Sequence, residues 1–220
     1  VTGAAQGIGQ ATAISFKAAG ARVHLLDIDA AGAAAAADAI STGYSVVDLG
    51  DQAAVAACIS KIEAEKGPVD ILASAAGGVR GQVGQPISEV SEKDWRDVFA
   101  ANVDAAFWLA QAIGPSMAKR GKGRIIFVAS GAGLRPSRTG IQAYTAAKHA
   151  LIGLTKQLSW ELGPSGVTVN AVAPGFILSN PASQRQWDSY GIEIQKRLVE
   201  GLHTKRLGDA EDIAAAILFL

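Results

Sequence analysis

The chain has 220 residues, enough for one well-buried core with no demand for a second. Its 20 lysines and arginines balance 20 aspartates and glutamates, which argues against a nucleic-acid face or a polybasic membrane tract and leaves small-molecule chemistry. A single cysteine, Cys58, excludes an internal disulfide framework, and no apolar run has the length or flanks of a membrane span or secretory signal, so a soluble cytoplasmic protein is expected.

In chain order, Val1 and Thr2 read as the last residues of a first strand, and TGAAQGIG (2 to 9) as a glycine turn into a helix beginning near Ile8. VHLLD (23 to 27) is the next strand, followed by an alanine-rich helix from Ala30 to Ala39 capped by Asp29. SVVDL (45 to 49), VDILASA (69 to 75), RIIFVAS (124 to 130) and VTVNAVAP (167 to 174) are further strands. None alternates cleanly, so each is expected to be covered on both faces. Between them, Ser91 and Asp94 form a capping box opening a helix with Trp95, Phe99, Ala106, Leu109 and Ile113 on its apolar stripe. Leu151, Leu154, Leu158 and Leu162 mark a second long helix. The chain stops at Phe219 and Leu220 inside a helical pattern, so the start of strand 1 and a last strand are expected to lie outside it.

Alternating strands and helices predict a doubly wound parallel α/β sheet in three layers, α/β/α. This is the dinucleotide-binding (Rossmann) architecture, here as one domain over residues 1–220. Ligands in such sheets lie beyond the carboxyl ends of the strands, where Gly3, Asp27, Asp48, Gly77, Ser130 and Pro174 fall.

Glycines at 3, 7 and 9 permit a tight turn and let N–H groups at a helix N-terminus approach a pyrophosphate, although an ordinary glycine turn has the same spacing. Asp27 ends its strand 18 residues after Gly9, where a carboxylate accepts from ribose hydroxyls and repels a 2′-phosphate. Neither Ala4, Ala5 and Gln6 nor Ile28 offers a cation for that phosphate, so NAD is expected over NADP. Asp48, with Leu49, either flanks adenine or simply precedes the helix at Asp51.

Tyr144 and Lys148 are one helical turn apart, so an ammonium can sit beside a phenol and favour its phenolate; a solvated helix face shows the same spacing. Neither Tyr44 nor Tyr190 has a lysine at that offset. Asn102 lies on an apolar stripe, so its carboxamide points inward, as catalytic group or as satisfied core residue. Ser130 closes a strand, where it either donates to a substrate oxygen or caps a loop. His24, His149 and His203 show no metal-binding spacing, and His149 is expected to face away from Lys148.

Together these residues resemble the short-chain dehydrogenase/reductase family over nearly the whole chain. Thr2 to Gly9 matches its TGxxxGIG signature, and Ser130, Tyr144, Lys148 and Asn102 match its catalytic positions. Asn170, Pro174 and Gly175 match its sixth strand and the turn beside nicotinamide, and RLGDAEDIAAAILFL matches its last helix. The resemblance implies cofactor contacts from Gly3, Gln6, Gly7, Ile8, Gly9, Asp27, Asp48, Leu49, Ala75, Ala76, Gly77, Tyr144, Lys148, Pro174, Gly175 and Ile177. It also implies a homotetramer packed through the helices of Asn102 and Tyr144.

Its mechanism gives Tyr144 the proton transfer, Ser130 the polarisation of the substrate oxygen, Lys148 the nicotinamide ribose, and Asn102 a relay water. Tyrosine must be brought down by about 3 pH units, roughly 4 kcal/mol. An ammonium about 4 Å away at an effective dielectric of about 20 supplies that much. One departure stands out: the family's NNAG after the fourth strand is here Ser74, Ala75, Ala76 and Gly77, so two bracing asparagines are missing and local packing is expected to differ.

Substrate choice is expected in the loop from Gly78 to Pro86, the segment from Leu134 to Ala143, and a lid at about 176–206, with Arg135, Arg138, Arg185, Trp187 and Tyr190 as candidate contacts. The leading expectation is an NAD-dependent dehydrogenase of a small polar hydroxy compound such as a sugar or polyol. A 3-oxoacyl-acyl-carrier-protein reductase using NADPH and a catalytically silent dinucleotide-binding protein are the alternatives.

Overall fold

The structure, a computed structural model, describes residues 1–137 and 139–220. Five strands, β1 (His24–Asp27), β2 (Gly43–Val46), β3 (Ile71–Ser74), β4 (Gly123–Val128) and β5 (Val167–Val172), all pair in parallel, β1 with β2 and β3 through β4 to β5. Thr2 joins the two sets, bridging Leu26 on one side and Ser74 on the other. The order is therefore β2, β1, Thr2, β3, β4, β5. The chain winds outward from Thr2 in one direction and then, after β2, returns to wind outward in the other. That reversal places a crevice at the carboxyl ends of Thr2 and β3.

Side-chain alternation assigns the helices to two layers. Ile126 and Val128 of β4 face Phe16 of α1 (Gly7–Ala18) and Ile213 and Ile217 of α9 (Ala210–Phe219). Leu25 of β1 faces the same side, against Ala36 and Ala37 of α2 (Ala30–Ala39). Ile125 and Phe127 point the other way, into a larger core with Val55 and Ile59 of α3 (Gln52–Lys66), Leu109 and Ile113 of α5 (Ala105–Arg120) and Leu151 of α6 (Gln142–Leu162). Each such buried aliphatic or aromatic side chain contributes about 1.5–3 kcal/mol by leaving water. No helix among the described residues is long and apolar enough to cross a membrane.

Two expectations about strands need correction. β2 is not covered on both faces: Tyr44 and Val46 are exposed, because β2 is the sheet's edge and only α2 and β1 pack on it closely. The strand also starts and ends early, at Gly43 and Val46, so Asp48 lies beyond it in a turn where its Oδ1 accepts from Gly50 N at 2.9 Å. Leu49 is buried in the core instead of lying open to a ligand, and Asp51 caps α3.

α4 (Glu92–Phe99) runs into α5 through a π-helical turn at Ala100–Asp104, and the capping box of Ser91 and Asp94 opens it as expected. Trp95, expected on the apolar stripe, is 42 % exposed and stacks on Phe99 at 4.8 Å. The segment 176–206 carries two short helices, α7 (Pro181–Asp188) and α8 (Gly191–Gly201), and is joined at its base where Ile177 pairs with Gly208.

Candidate active site

The cofactor end is built from backbone brought close to backbone. Gly3 and Gly7 hold φ of +63° and +60°, which side chains rarely adopt. A Cβ on Gly3 would lie 2.8 Å from Ala76 N, and one on Gly9 would lie 2.1 Å from the Gly3 carbonyl. These glycines let the first turn of α1 sit directly over the crevice. α1 opens at Gln6 with no side-chain cap and no acidic residue in its first turn, whereas α2, α3, α4, α7 and α9 are all capped by side chains. Its N–H groups are thus available for an anion, with the positive end of the helix dipole behind them.

Asp27 is tied into the same end. Its Oδ2 accepts from Ala5 N at 2.9 Å and its Oδ1 from Asp29 N at 3.0 Å, so the carboxylate is held between the glycine turn and α2 with lone pairs left over. Ile8, Ala75 and Ile177 pack against one apolar cluster, and Ala76 against the core on the other side of the sheet. Where the family pattern has bracing asparagines, Thr2 and Asn102 do the bracing. The Thr2 hydroxyl accepts from Ala76 N at 3.2 Å, and Asn102 holds Gly78 by both of its backbone groups. The Thr2 role has no signal in the sequence, because it depends on β3 returning beside residue 2.

At the catalytic end, Val128 closes β4 and Ser130 follows it, its Oγ accepting from Ala132 N at 3.1 Å. Gly131 N donates to the Pro174 carbonyl at 2.7 Å, which ties the ends of β4 and β5 together and buries Pro174 while Gly175 stays exposed. Gly133 lets this turn meet α6, since a Cβ there would lie 2.7 Å from the Lys148 carbonyl. Sequence reasoning missed Gly133; one glycine among 25 carries no mark of such an approach.

The structure does bring Ser130, Tyr144 and Lys148 together. The Ser130 hydroxyl lies near enough to the Tyr144 hydroxyl to draw its proton affinity down, and the Lys148 Nζ lies 5.4 Å from the centroid of the Tyr144 ring. Lys148 is buried and donates to the Val128 carbonyl at 2.8 Å. His149 faces outward as expected, its Nδ1 against the Thr145 carbonyl.

The electrostatics differ from expectation. Burial pushes the Tyr144 phenol above its ordinary value, and the nearby Ser130 hydroxyl offsets that only in part. Burial likewise brings Lys148 down to about 7. The chain by itself therefore holds a protonated phenol beside an amine that is only partly charged at neutrality, because desolvation penalises both charged forms.

Asn102 is buried in the π-helical turn, a feature frequent at functional sites. Its Nδ2 donates to Val98 O at 2.8 Å and Gly78 O at 2.9 Å, and its Oδ1 accepts from Gly78 N at 3.1 Å. Both amide protons are committed, so the side chain has no donor left for a relay water.

Of the substrate candidates, Arg135 and Arg185 are exposed, and Arg138 lies outside the described residues. Trp187 and Tyr190 are half-buried and cluster with Phe176, with ring centroids 5.9 Å from it in both cases.

The short-chain dehydrogenase family model matches residues 1–189. The chain is 36 % identical to the hydroxy(phenyl)methylsuccinyl-CoA dehydrogenase subunit BbsD of Thauera aromatica, over all of this chain and 87 % of that protein. It is 35 % identical to the 3-oxoacyl-acyl-carrier-protein reductase FabG of Escherichia coli, again over all of this chain and 87 % of the relative. Among solved structures, an NAD+-bound xylitol dehydrogenase superposes with a TM-score of 0.90 at 26 % identity, covering the whole of this chain and 89 % of the other. With the glycine turn, the switch-point crevice and the serine, tyrosine and lysine clustered at the carboxyl end of the sheet, the chain belongs to the short-chain dehydrogenase/reductase family of nicotinamide-dinucleotide oxidoreductases.

Proposed function

We propose that the protein is an NAD-dependent dehydrogenase that interconverts a secondary alcohol and a ketone on a small polar hydroxy compound such as a sugar or polyol, with Tyr144 as its acid/base. What carries the reading is the meeting of Ser130, Tyr144 and the buried Lys148 beyond the carboxyl end of β4. The uncapped N-terminus of α1 and the glycines at 3, 7 and 9 fit a pyrophosphate, and Asp27 fits an adenosine ribose with a free 2′-hydroxyl. Ala75, Ala76, Gly77, Pro174, Gly175 and Ile177 would flank the nicotinamide half, and Lys148 its ribose. Asp48, exposed in its turn, remains a candidate for the adenine rim, with Leu49 behind it.

When bound, NAD supplies the hydride acceptor and a positive ring. Tyr144 takes the hydroxyl proton of an alcohol, or gives a proton to a ketone oxygen in reduction. Ser130 hydrogen-bonds that oxygen, and Lys148 stands behind the phenol. Because the chain alone raises the phenol, Tyr144 serves as an acid at neutral pH without adjustment, whereas its role as a base needs added positive charge nearby. Asn102, in this reading, holds the loop at Gly78 that closes the nicotinamide side.

A panel of alcohols and ketones assayed with NAD and NADP in parallel tests this reading. Turnover of polyols with a clear NAD preference is expected. A preference for NADPH with 3-oxoacyl thioesters would favour a reductase like FabG, and dinucleotide binding without turnover would point to a silent binding protein. We further propose a homotetramer, supported by exposed Trp95, Phe107 and Trp160 on α4, α5 and α6. Light scattering that gave a monomer would overturn it.

A further inference from the structure

Gln82 is fully buried, although it lies on the loop that leaves β3 and is polar. Its Nε2 donates to the Gly140 carbonyl and to Gln142 Oε1, both at 2.9 Å. Gln142 in turn donates through Nε2 to the Gln85 carbonyl at 2.7 Å, and Gly84 N donates to the Thr139 carbonyl at 3.0 Å. The two backbone carbonyls can only accept, so they fix which end of each amide faces them. Gln142 Oε1 is then left to receive the second proton of Gln82. At Gly140, with φ +58°, a Cβ would come within 3.1 Å of Gln85 N and O, so the two segments meet main chain to main chain.

This network lies where α6 lacks a local cap. The helix opens at Ile141 with no side-chain hydrogen bond, and an uncapped first turn frays. Tyr144 sits in that turn, two residues after Gln142. The other end of the loop is held by Asn102 at Gly78, so residues 78–85 run as a strap from the π-helical turn to the start of α6.

We propose that Gln82 is a positioning residue for Tyr144, clamping loop 78–86 onto the first turn of α6 so that the phenol and one wall of the substrate site form a single unit. The proposal rests on the assignment of Tyr144 as the acid/base. Gln82 acts through Gln142 and touches no reacting atom.

The test uses the full chain with Gln82→Met, which keeps the side chain's bulk and removes its hydrogen bonds. Turnover, direct NAD binding and an absorbance titration of the phenol, assigned by difference against Tyr144→Phe, are measured together. We expect kcat to fall about tenfold, as for a reacting group displaced by a fraction of an ångström. NAD affinity should stay within about twofold, since a group that shapes only the transition state leaves ground-state binding alone. The Tyr144 titration should move back toward that of an ordinary tyrosine as water enters the loosened turn.

Gln142→Met should reproduce these changes, and the double variant should be no worse than either single one. If Gln82→Met does not fold, Gln142→Met carries the same three readouts. Unchanged turnover and titration, multiplied losses in the double variant, or NAD affinity falling in step with kcat would each overturn the proposal. The titration needs no substrate, so a shift in a protein that turns nothing over supports the clamp while counting against the proposed reaction.

Discussion

At the glycine turn, Gly3 and Gly9 bring main chain against main chain, and the polar groups presented are N–H donors of α1 and one carboxylate, Asp27. On the other side of the crevice the contacts run through side chains: Gln82 on a loop and Gln142 at the start of α6, Asn102 on a π-helical turn, and Phe176, Trp187 and Tyr190 within the segment 176–206. A site built from backbone serves one ligand that every member of the family shares, and it tolerates few side chains. A site built from side chains can be changed one residue at a time, and the three similar proteins carry different substrate names, thioester and polyol among them.

The sharpest way to separate the two ends is Tyr144→Phe. It removes one oxygen at the boundary between them and leaves the glycine turn untouched. General acid–base catalysis contributes about 10²–10⁴-fold, so kcat should fall by that much while NAD binding, followed by fluorescence titration, is retained. Full turnover in this variant would remove Tyr144 from the mechanism altogether.

Gly9→Ala probes the backbone end by itself. Its methyl group would meet the Gly3 carbonyl at 2.1 Å, so the turn or the helix must shift. Overpacking of this kind costs about 1–3 kcal/mol, measurable as a lowered denaturation midpoint, and cofactor affinity should fall about tenfold or more as the N–H groups move. An alanine variant that binds NAD normally would show that the turn is not a cradle.

How much of each end could be read from the sequence follows the same division. Gly3, Gly7 and Gly9 are legible because only glycine meets the geometric demand, and the strands are legible because parallel strands buried on both faces form continuous apolar runs. β2 departs from that rule because an edge strand has one neighbour, and nothing in SVVDL marks it as an edge. Tyr144, Lys148 and Ser130 were legible by spacing and by position after a strand. Their proton affinities were not, because burial raised one and lowered the other, and burial depends on the whole fold. The clamp of Gln82 on Gln142 joins residues 60 apart with no periodic pattern between them, so only the folded chain places them together.

Asp27→Ser sharpens the comparison within the cofactor end. It removes a charged side chain that touches the glycine turn through Ala5 N. A hydrogen bond to a charged group is worth about 1.5–3 kcal/mol, so the NAD dissociation constant should rise roughly ten- to a hundredfold. Affinity for NADP should improve relative to NAD, because the carboxylate that repels a 2′-phosphate is gone. An unchanged NAD to NADP ratio in binding would separate Asp27 from cofactor choice.

The pH dependence joins both ends. Burial lifts the Tyr144 phenol, so the protonated form persists through neutrality. Ketone reduction, which needs the phenol as acid, should therefore stay level from acidic pH through neutral and fall only where the phenol titrates. Alcohol oxidation needs the phenolate, so kcat/KM should climb by up to about tenfold per pH unit below that point. Bound NAD would bring positive charge to the phenol, so the phenol should titrate at lower pH in the NAD complex than in the protein alone. Lys148, brought to about 7 by burial, gains its proton as pH falls through that value and then adds positive charge beside Tyr144. Above that value the pair holds one proton that the amine can carry in place of the phenol, so the oxidation limb should be shallower than tenfold per unit above about 7, steepen to the full slope below it, and keep the full slope throughout in Lys148→Met. A limb of one uniform slope in the wild-type protein would show that the buried amine and the phenol do not sense each other.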